Sequence, residues 1–319
     1  MTNIAVVIPT RNRPEKLKRL LESISNSTIL PKQVVVVASG IDVQQITDNF
    51  ANVLDITYLY SEVAGQIAQK RIGINSLRKD IDWCMFSDDD LLIGSHAIHN
   101  ALVESIKFEE IKNKRIVGIG FYLPPNSRSL EFSKFMKRLA IIFQLDSRCP
   151  GKVLRSGHAT SYLQSEYITE TQWLNGASMW RVEYAREYGK SLVSIPYAAC
   201  EDLIFSYPLR KKGVLIFVPS AKLDFQDREF SNFNSIEVMK TASLMRYYFV
   251  TTNKEMSILA FCWSQIFRTI FALKEAKTQN PKLFLQLCLI NLRIFKNILL
   301  RREPKDLIYD QLCGKDRFR

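Results

Sequence analysis

The N-terminal part of the chain alternates short, continuous apolar runs with longer segments in which apolar residues recur at helical spacing. The runs Ile4–Ile8, Val34–Val37, Ile56–Tyr60 and Trp83–Phe86 are each followed by polar residues or turn formers. Continuous runs of this length predict strands that are buried on both faces, as in parallel sheets. The helices predicted between these strands begin at Pro14 and cover residues 43–50 and 64–77.

The same alternation continues to about residue 225. Helices are predicted at Ser95–Phe108, Phe132–Phe143 and Leu203–Lys212, and strands at Arg115–Leu123 and Val214–Val218, the last ended by Pro219. Strands that alternate with helices at this spacing are typical of βαβ units. We therefore predict an α/β domain over residues 1–225, with a mainly parallel central sheet flanked by helices.

The pattern changes in the C-terminal part, residues 226–319, which we predict to be a separate helical region. Between Met256 and Arg302, apolar residues at helical spacing interleave with eight lysines and arginines and one acid, Glu275, a balance of +7. A basic amphipathic helix of this kind is typical of proteins that lie on anionic membranes. The alternative is a helical cap on the main domain with a solvated basic face.

The overall charge agrees with an anionic partner but does not identify it. The 319 residues carry a net charge of +12, which suits nucleic acid, acidic lipid or a phosphorylated substrate. Six scattered cysteines without a CxxC pair, and only three histidines, favour a reducing compartment and disfavour a zinc enzyme. The N-terminus passes directly into a strand, and no run reaches the length of a spanning helix. We expect a cytoplasmic protein, peripheral on the inner face of the cell membrane.

The strongest candidate for chemistry is a run of three carboxylates, Asp88, Asp89 and Asp90, directly after the predicted strand Trp83–Phe86. Like charges side by side need compensation, and Mg²⁺ or a similar hard cation would supply it while leaving coordination positions open for phosphate. Ligands of open α/β sheets bind beyond the carboxyl ends of the strands, which is where this run lies. The alternative is an acidic loop that caps the helix beginning near Ser95.

Three further segments are candidates for ligand binding or chemistry. The turn Thr10–Arg13, between a strand and a helix, offers two arginines and free backbone N–H groups to an anion. Gly176, within the segment Trp173–Arg181, indicates a close backbone approach to another element or a ligand. Glu201 and Asp202 precede a helix, where an acidic pair often serves only as a cap.

In this order along the chain, these segments resemble family 2 glycosyltransferases with the GT-A, or nucleotide-diphospho-sugar transferase, fold. The resemblance covers about residues 3–225, and five motifs in order carry it although no single one is specific. The segments that match the family's motifs are Val6–Arg13 (opening strand and turn), Gly65–Ile74 (G-x-x-x-x-R-N-x-G-I helix), Phe86–Asp90 (DxD metal motif), Trp173–Ala177 (W-L-x-G-A) and Glu201-Asp202 with Arg210–Gly213 (ED motif and R-x-x-x-G).

The resemblance implies an inverting transfer of a sugar from a nucleoside diphosphate sugar, linked to UDP, dTDP or GDP, to a glycan or lipid-linked acceptor. It implies that Asp88 and Asp90 hold Mg²⁺ or Mn²⁺, that Asp202 is the general base, and that Glu201 orients acceptor or base. The acceptor would lie against Trp173, Asn175 and Gly176. The donor would contact Pro9, Thr10, Arg11, Arg13, Ser39, Gln69, Lys70, Arg71, Asp88 and Asp89.

The chain departs from the family's pattern at three places. Ala38 and Ser39 stand where the family usually has an acidic residue that contacts the base, and Lys70-Arg71 replace Arg-Asn. The family often has a histidine ligand after the last strand, where this chain has 224–227, Asp-Phe-Gln-Asp. The third metal ligand and the nucleotide base therefore stay open.

Three other classes of protein would share some of these features. A sugar nucleotidyltransferase would share a metal-bound nucleotide on an α/β sheet, but its glycine- and lysine-rich N-terminal signature is missing. A nucleic-acid-binding protein would explain the charge, but that charge is concentrated in apolar C-terminal segments and no binding motif is present. We therefore expect no nucleic acid partner. A non-catalytic relative is disfavoured by the acids retained at both Asp88–Asp90 and Glu201-Asp202.

Overall fold

A computed structural model describes residues 2–124, 134–193, 195, 199–227, 236–276 and 281–312. The chain divides into two compact units, each assembled from separate segments. Unit 1 comprises Met1–Ser129, Tyr162–Ser194 and Asp202–Glu229, and unit 2 comprises Leu130–Ser161, Ile195–Glu201 and Phe230–Arg319. Two segments from the middle of the chain thus belong to the unit that contains the C-terminal helices.

Unit 1 is built on a nine-stranded mixed sheet with the order β3-β2-β1-β4-β8-β6-β9-β5, and β7 pairs with β9. Strands β1 to β4 pair in parallel, and β8 lies antiparallel between β4 and β6. The strands are β1 (Ile4–Arg11), β2 (Gln33–Ser39), β3 (Ile56–Tyr60), β4 (Trp83–Phe86), β5 (Leu91–Ile93), β6 (Ile116–Tyr122), β7 (Thr169–Thr171), β8 (Ser178–Arg181) and β9 (Val214–Phe225).

The helices of both units have the bounds that follow. They are α1 (Pro14–Ser25), α2 (Gln44–Asp48), α3 (Gln66–Asn75), α4 (Ala97–Lys112), α5 (Lys134–Ile142), α6 (Val182–Ala185), α7 (Glu201–Leu209), α8 (Ile236–Thr252), α9 (Ile258–Ala276), α10 (Pro281–Leu299) and α11 (Pro304–Leu312).

The apolar runs of the sequence form the middle of the sheet for the predicted reason. Residues 4–10 of β1 and all of β2 and β4 are buried, so each strand is covered on both faces. Helix α1 begins at Pro14, where the missing N–H costs nothing, and its buried residues Leu17, Leu20, Leu21 and Ile24 recur at helical spacing. The predicted α/β class with helices around a central sheet is confirmed.

Strand β9 is longer than predicted. The prediction ended this strand at Val218, but it continues through Pro219 to Phe225. Pairing with β6 jumps from Phe121–Val218 to Tyr122–Lys222, so Pro219 lies in an irregularity where its missing N–H is not needed. The extension then pairs antiparallel with β5, which places residue 226 next to the aspartate run.

Unit 2 is mainly helical. Helix α10 packs on α8 and α9, and α11 packs on α8. One face of α10 is buried through Leu287, Ile290 and Ile294, whereas Leu285 and Leu292 are 58% and 63% exposed. Within the described parts of the chain, no helix is both long enough and apolar enough to cross a membrane.

Candidate active site

The central aspartate of the run joins the ends of two strands in unit 1. Asp89, only 5% exposed, accepts hydrogen bonds from Thr10 Oγ1 at 2.7 Å and from Arg13 Nη1 at 3.0 Å. Burial raises the pKa of the Asp89 carboxyl, and the bonds from Thr10 and Arg13 act against that rise. Asp89 therefore holds the predicted anion-binding turn after β1 against the loop after β4.

The first aspartate faces a buried lysine. Asp88 Oδ1 accepts a 2.7 Å hydrogen bond from Gln66 Nε2 and lies 3.7 Å from Lys70 Nζ. The Lys70 side chain is 1% exposed, and its amine lies 5.7 Å and 5.8 Å from the ring centroids of Phe86 and Tyr188. A cation held beside a carboxylate and two aromatic faces is fixed in position rather than mobile on the surface.

Helix α3 also fixes the end of β2. The Gln69 side-chain amide donates to the backbone oxygens of Thr10 and Val37, both at 2.8 Å, and so clamps β1 to β2. Beyond it, the buried Ser39 Oγ has no hydrogen-bond partner among the described residues. Gly40 has a φ of 79°, and a Cβ there would collide with the Asn12 side chain. The tight turn leaves a polar atom available to a ligand at the predicted base position.

The third aspartate carries a negative charge that its neighbours neutralise only in part. The Asp90 side chain is 40% exposed, and its carboxylate lies 3.6 Å from Arg13 Nη1. Its pKa is raised by burial and by the like charges of Asp88 and Asp89, while Arg13 and Lys16 lower it. Within the described residues, no three His, Cys, Asp or Glu side chains are arranged to hold a metal ion.

A side chain from the extension of β9 supports this loop. The Gln226 amide nitrogen donates to the backbone oxygens of Lys16, Asp89 and Leu91, at 2.8 Å, 2.9 Å and 3.1 Å. These three bonds fix the orientation of the amide. Its Oε1 is buried and has no hydrogen-bond partner among the described residues. Gln226 therefore offers an amide oxygen at the position where the resembling family often has a metal-binding histidine.

The segment before β8 lies over the first aspartate. Strands β4 and β8 pair antiparallel with Phe86 opposite Ser178, so two residues farther along, Asp88 and Gly176 approach each other. A Cβ built on Gly176 would lie 3.9 Å from Asp88 Oδ2 and 4.0 Å from Lys70 Nζ. The predicted acceptor segment and the predicted donor residues therefore share one site.

A buried tyrosine holds the rest of this segment. The Tyr162 hydroxyl accepts a 2.7 Å hydrogen bond from the Asn175 backbone N–H, and its ring meets Trp173 edge to face at 5.3 Å. Burial raises the pKa of Tyr162, and the negative charge of Asp202 adds to the rise. The carboxylate of Asp202 is thus close enough to this tyrosine to act on it electrostatically.

Helix α7 is joined to the same segment. Ser206 Oγ accepts a 3.1 Å hydrogen bond from the Leu174 backbone N–H. Asp202 precedes Ser206 by four residues, so both lie on one face of the helix. Glu201 is buried and belongs to unit 2, whereas Asp202 belongs to unit 1.

The remaining predicted donor residues differ in burial and in the groups that they contact. Pro9 is buried within β1, and Arg11 is exposed at its end. Arg71 follows Lys70 on α3, but its stem packs against Gly189, so the structure places Lys70 and not Arg71 beside Asp88. The predictions did not include Gln66, Tyr162 or Tyr188. Gln66 lies at an unspecified position of the Gly65–Ile74 motif, and Tyr162 and Tyr188 lie in segments without a motif, so the contacts of all three emerge only from the tertiary structure.

Comparisons with known proteins agree with this geometry. Residues 5–110 match the model of the family Glycosyl transferase family 2. A crystal structure of S. aureus TarS 1-349 in complex with UDP is 15% identical, with a TM-score of 0.52 over 84% of this chain and 71% of that chain. The complex of the same protein with UDP-GlcNAc is 16% identical, with a TM-score of 0.52 over 96% and 89%. No curated protein matches the chain significantly.

The fold and the matched sequence define the class: the protein is a glycosyltransferase. The region that matches glycosyltransferase family 2, residues 5–110, contains the turn after β1, helix α3 and the aspartate run. The likeness to TarS, at 15–16% identity, supports the GT-A fold. The predicted resemblance is confirmed.

Proposed function

We propose that the protein moves a sugar, with inversion of configuration, from a nucleoside diphosphate sugar to a hydroxyl of a glycan or lipid-linked acceptor in surface polysaccharide synthesis. One observation carries the proposal: Asp88, Lys70 and Gly176 meet at the carboxyl end of the sheet, beside the turn held by Asp89. Ligands of α/β sheets bind at this edge. The TarS structures contain UDP and UDP-GlcNAc, so uridine diphosphate sugars are the first donors to test.

The proposed donor-binding residues contact three different parts of the nucleotide sugar. The base lies against Pro9, Thr10, Arg11 and Ser39, where the Ser39 Oγ, which bonds none of the described residues, offers a hydrogen bond. The diphosphate lies toward Arg13 and Lys70, and Asp89 lies near the ribose. Gln69 acts through the backbone, because its amide already clamps β1 and β2.

A divalent cation, Mg²⁺ or Mn²⁺, fits the residues at this site. Asp88 and Asp90 supply carboxylate oxygens, and Gln226 Oε1 adds an amide oxygen that lacks a partner among the described residues. The like-charge repulsion that raises the pKa of Asp90 is the repulsion that a cation would relieve. Two protein carboxylates with substrate phosphates are a common arrangement for Mg²⁺. When bound, the cation stabilises the negative charge of the departing diphosphate.

Asp202 is the proposed general base, and Glu201 orients the acceptor or the base. Asp202 lies on the face of α7 that bonds the Trp173–Ala177 segment through Ser206. Trp173, Asn175 and Gly176 form the acceptor side, where Trp173 supplies an aromatic ring to contact a sugar. The carboxylate of Asp202 takes the proton of the acceptor hydroxyl as its oxygen attacks the anomeric carbon and the bond to the diphosphate breaks.

The decisive experiment is a screen of nucleoside diphosphate sugars for cation-dependent turnover, with detection of both nucleoside diphosphate and pyrophosphate. Release of the nucleoside diphosphate supports glycosyl transfer, and release of pyrophosphate would instead indicate a nucleotidyltransferase. Asp202→Asn should abolish transfer and leave donor binding, measured by calorimetry, near the wild-type value. Glu110→Gln, at an exposed position of α4, is the matched control and should leave both unchanged. Full activity of Asp202→Asn would remove Asp202 from its role.

We further propose that unit 2 contacts an anionic membrane surface, at the inner face of the cell membrane. Helix α10 exposes Leu285 and Leu292 beside the exposed cations Arg293 and Lys296. Apolar and basic residues together are what an anionic interface selects. A helical cap with a solvated face is the alternative.

Vesicle sedimentation separates these alternatives. The full chain should bind phosphatidylglycerol vesicles more strongly than phosphatidylcholine vesicles, and Leu285→Ser with Leu292→Ser should weaken that binding. Ile111→Ser, which removes a 78% exposed apolar side chain from unit 1, is the control and should bind as the wild type does. Equally weak binding of the wild type to both kinds of vesicle would favour the cap, and equal strong binding by all variants would show that Leu285 and Leu292 are not the contact.

A further inference from the structure

Unit 2 contains two arginines that no carboxylate neutralises among the described residues. Arg246, on α8, donates from Nε to the Gly157 backbone oxygen at 3.2 Å and from Nη2 to Cys200 Sγ at 3.7 Å. Arg268, on α9, donates from Nη1 to Ser243 Oγ at 3.2 Å and Gln265 Oε1 at 3.3 Å. All four acceptors are uncharged or weakly polar groups. A guanidinium has five N–H donors, so both side chains keep donors unused.

The two guanidiniums repel each other in a poorly hydrated environment. The pKa of Arg268 is lowered to about 9, first by burial and then by the positive charge of Arg246, and the Cys200 thiol only partly opposes this. Both arginines nevertheless keep part of their surface accessible. Buried charges in proteins are normally paired. Two partly accessible cations in a desolvated environment, with no carboxylate partner among the described residues, are an arrangement that an anion from solvent could neutralise.

A histidine joins the same cluster. His158 Nε2 is buried and has no hydrogen-bond partner among the described residues. Burial, together with the charges of Arg246 and Arg268, lowers the pKa of His158 well below 6.5, so the imidazole is neutral and can donate one N–H. Gly157 before it has a φ of 79°, and a Cβ there would lie 2.6 Å from Val250 Cγ2. The glycine thus allows the loop to lie directly on α8.

We propose that Arg246, Arg268 and His158 form a binding site for a phosphate group, as a monoester or a diester. The paired N–H donors of a guanidinium match the spacing of phosphate oxygens. Two guanidiniums and an imidazole together have more N–H donors than the two oxygens of a carboxylate would accept. The site lies wholly within unit 2, since all three residues belong to its segments. Its residues are different from those proposed for sugar transfer, so it is tested by measuring phosphate binding and not turnover.

The experiment is calorimetric titration of inorganic phosphate into the full chain, purified without phosphate or sulfate. Wild-type protein should bind with an affinity in the millimolar range or tighter. Arg268→Met and Arg246→Met should each weaken binding at least tenfold, which corresponds to about 1.4 kcal/mol at 25 °C. Arg246→Lys, which keeps the charge but loses the fork, is a second and milder variant and should also bind more weakly.

A matched control locates the effect. Arg155→Met removes an exposed charge from the same unit and should bind phosphate as the wild type does. Phosphate should also raise the unfolding temperature of the wild type but not of Arg268→Met. Absence of binding to the wild type, or equal binding by the arginine variants, would overturn the proposal.

A second arm distinguishes the sources of the phosphate. Glycerophosphoglycerol, a soluble phosphodiester, is titrated in competition with inorganic phosphate. Competition supports the site and assigns it to a phosphodiester of a polymer or a lipid head group. Binding of inorganic phosphate without competition also supports the site and assigns it to a free phosphate or a monoester.

Discussion

Replacing Asp90 by asparagine should make the protein more stable and less active. The carboxylate of Asp90 is crowded by Asp88 and Asp89, which, together with burial, raise its pKa. Its nearest cation, Arg13, lies at 3.6 Å and is held more closely by Asp89, at 3.0 Å. Asparagine keeps the size of the side chain and removes the charge, so the repulsion disappears and Arg13 keeps its main partner.

The sign and the size of the change in the free energy of unfolding follow from the structure. A carboxyl whose folded pKa lies above its ordinary value contributes stability below that ordinary value and loses it as the pH rises through the folded value. At pH 7 the ionised Asp90 is therefore destabilising. Because its side chain is 40% exposed, solvent screens the repulsion to about 0.5–1 kcal/mol. That corresponds to a rise of about 1–4 °C in the unfolding temperature.

The assay is thermal unfolding at pH 7 and at about pH 3, with and without Mn²⁺. Asp90→Asn should unfold at a higher temperature than the wild type at pH 7, and the gap should close at low pH, where the wild-type carboxyl is protonated. Mn²⁺ at about 100 times its dissociation constant should stabilise the wild type by about 2.7 kcal/mol and leave Asp90→Asn unchanged. Asp48→Asn, at an exposed position of α2, serves as the control for charge alone.

Two results would refute this reasoning. A lower unfolding temperature for Asp90→Asn at pH 7 would mean that its contact with Arg13 outweighs the repulsion. An equal response of variant and wild type to Mn²⁺ would mean that Asp90 does not hold the cation.

Other substitutions test the neighbouring contacts. Gly176→Ala should fold normally, because its methyl group would meet Asp88 at an ordinary 3.9 Å, but it should lower kcat/KM at least tenfold by occupying ligand space; unchanged kinetics would place the ligand elsewhere. Gly118→Ala should instead cost about 1–3 kcal/mol in chemical denaturation, because its methyl group would lie 2.6 Å from a buried indole ring. Tyr162→Phe should cost about 1–3 kcal/mol by leaving the Asn175 N–H without its acceptor, and a smaller loss would show that water replaces the hydroxyl.

The site could be predicted where one strand end supplies several of its groups. The strands before Thr10 and Asp88 are continuous apolar runs, and parallel strands bring their carboxyl ends to one edge. Sequence alone thus placed Thr10, Arg13 and the aspartates together. The hydrogen bond from Thr10 to Asp89 in particular was not predictable. The sequence does not distinguish the three adjacent carboxylates, and only the tertiary structure shows which one is buried.

Other parts had no local signal. Strand β8 lies between β4 and β6, and it begins more than 90 residues after β4 ends. A four-residue strand carries no sequence signal that indicates antiparallel pairing. The passage of β9 through Pro219 depends on a bulge opposite β6. In the sequence, Arg246 and Arg268 look like ordinary helix cations, since only the packing of α8 and α9 shows that neither has an acidic partner among the residues that the structure describes.

The register of the β4 and β8 ladder also has an evolutionary consequence. Phe86 pairs with Ser178. One residue, Ser87, separates Phe86 from Asp88, and one residue, Ala177, separates Gly176 from Ser178, so the two spacers have equal length. An insertion or deletion in either spacer would shift one half of the candidate site against the other by a whole residue and turn side chains to the opposite face. Homologues are therefore expected to differ freely in loop length elsewhere, while these two spacers keep their length even where their amino acids change.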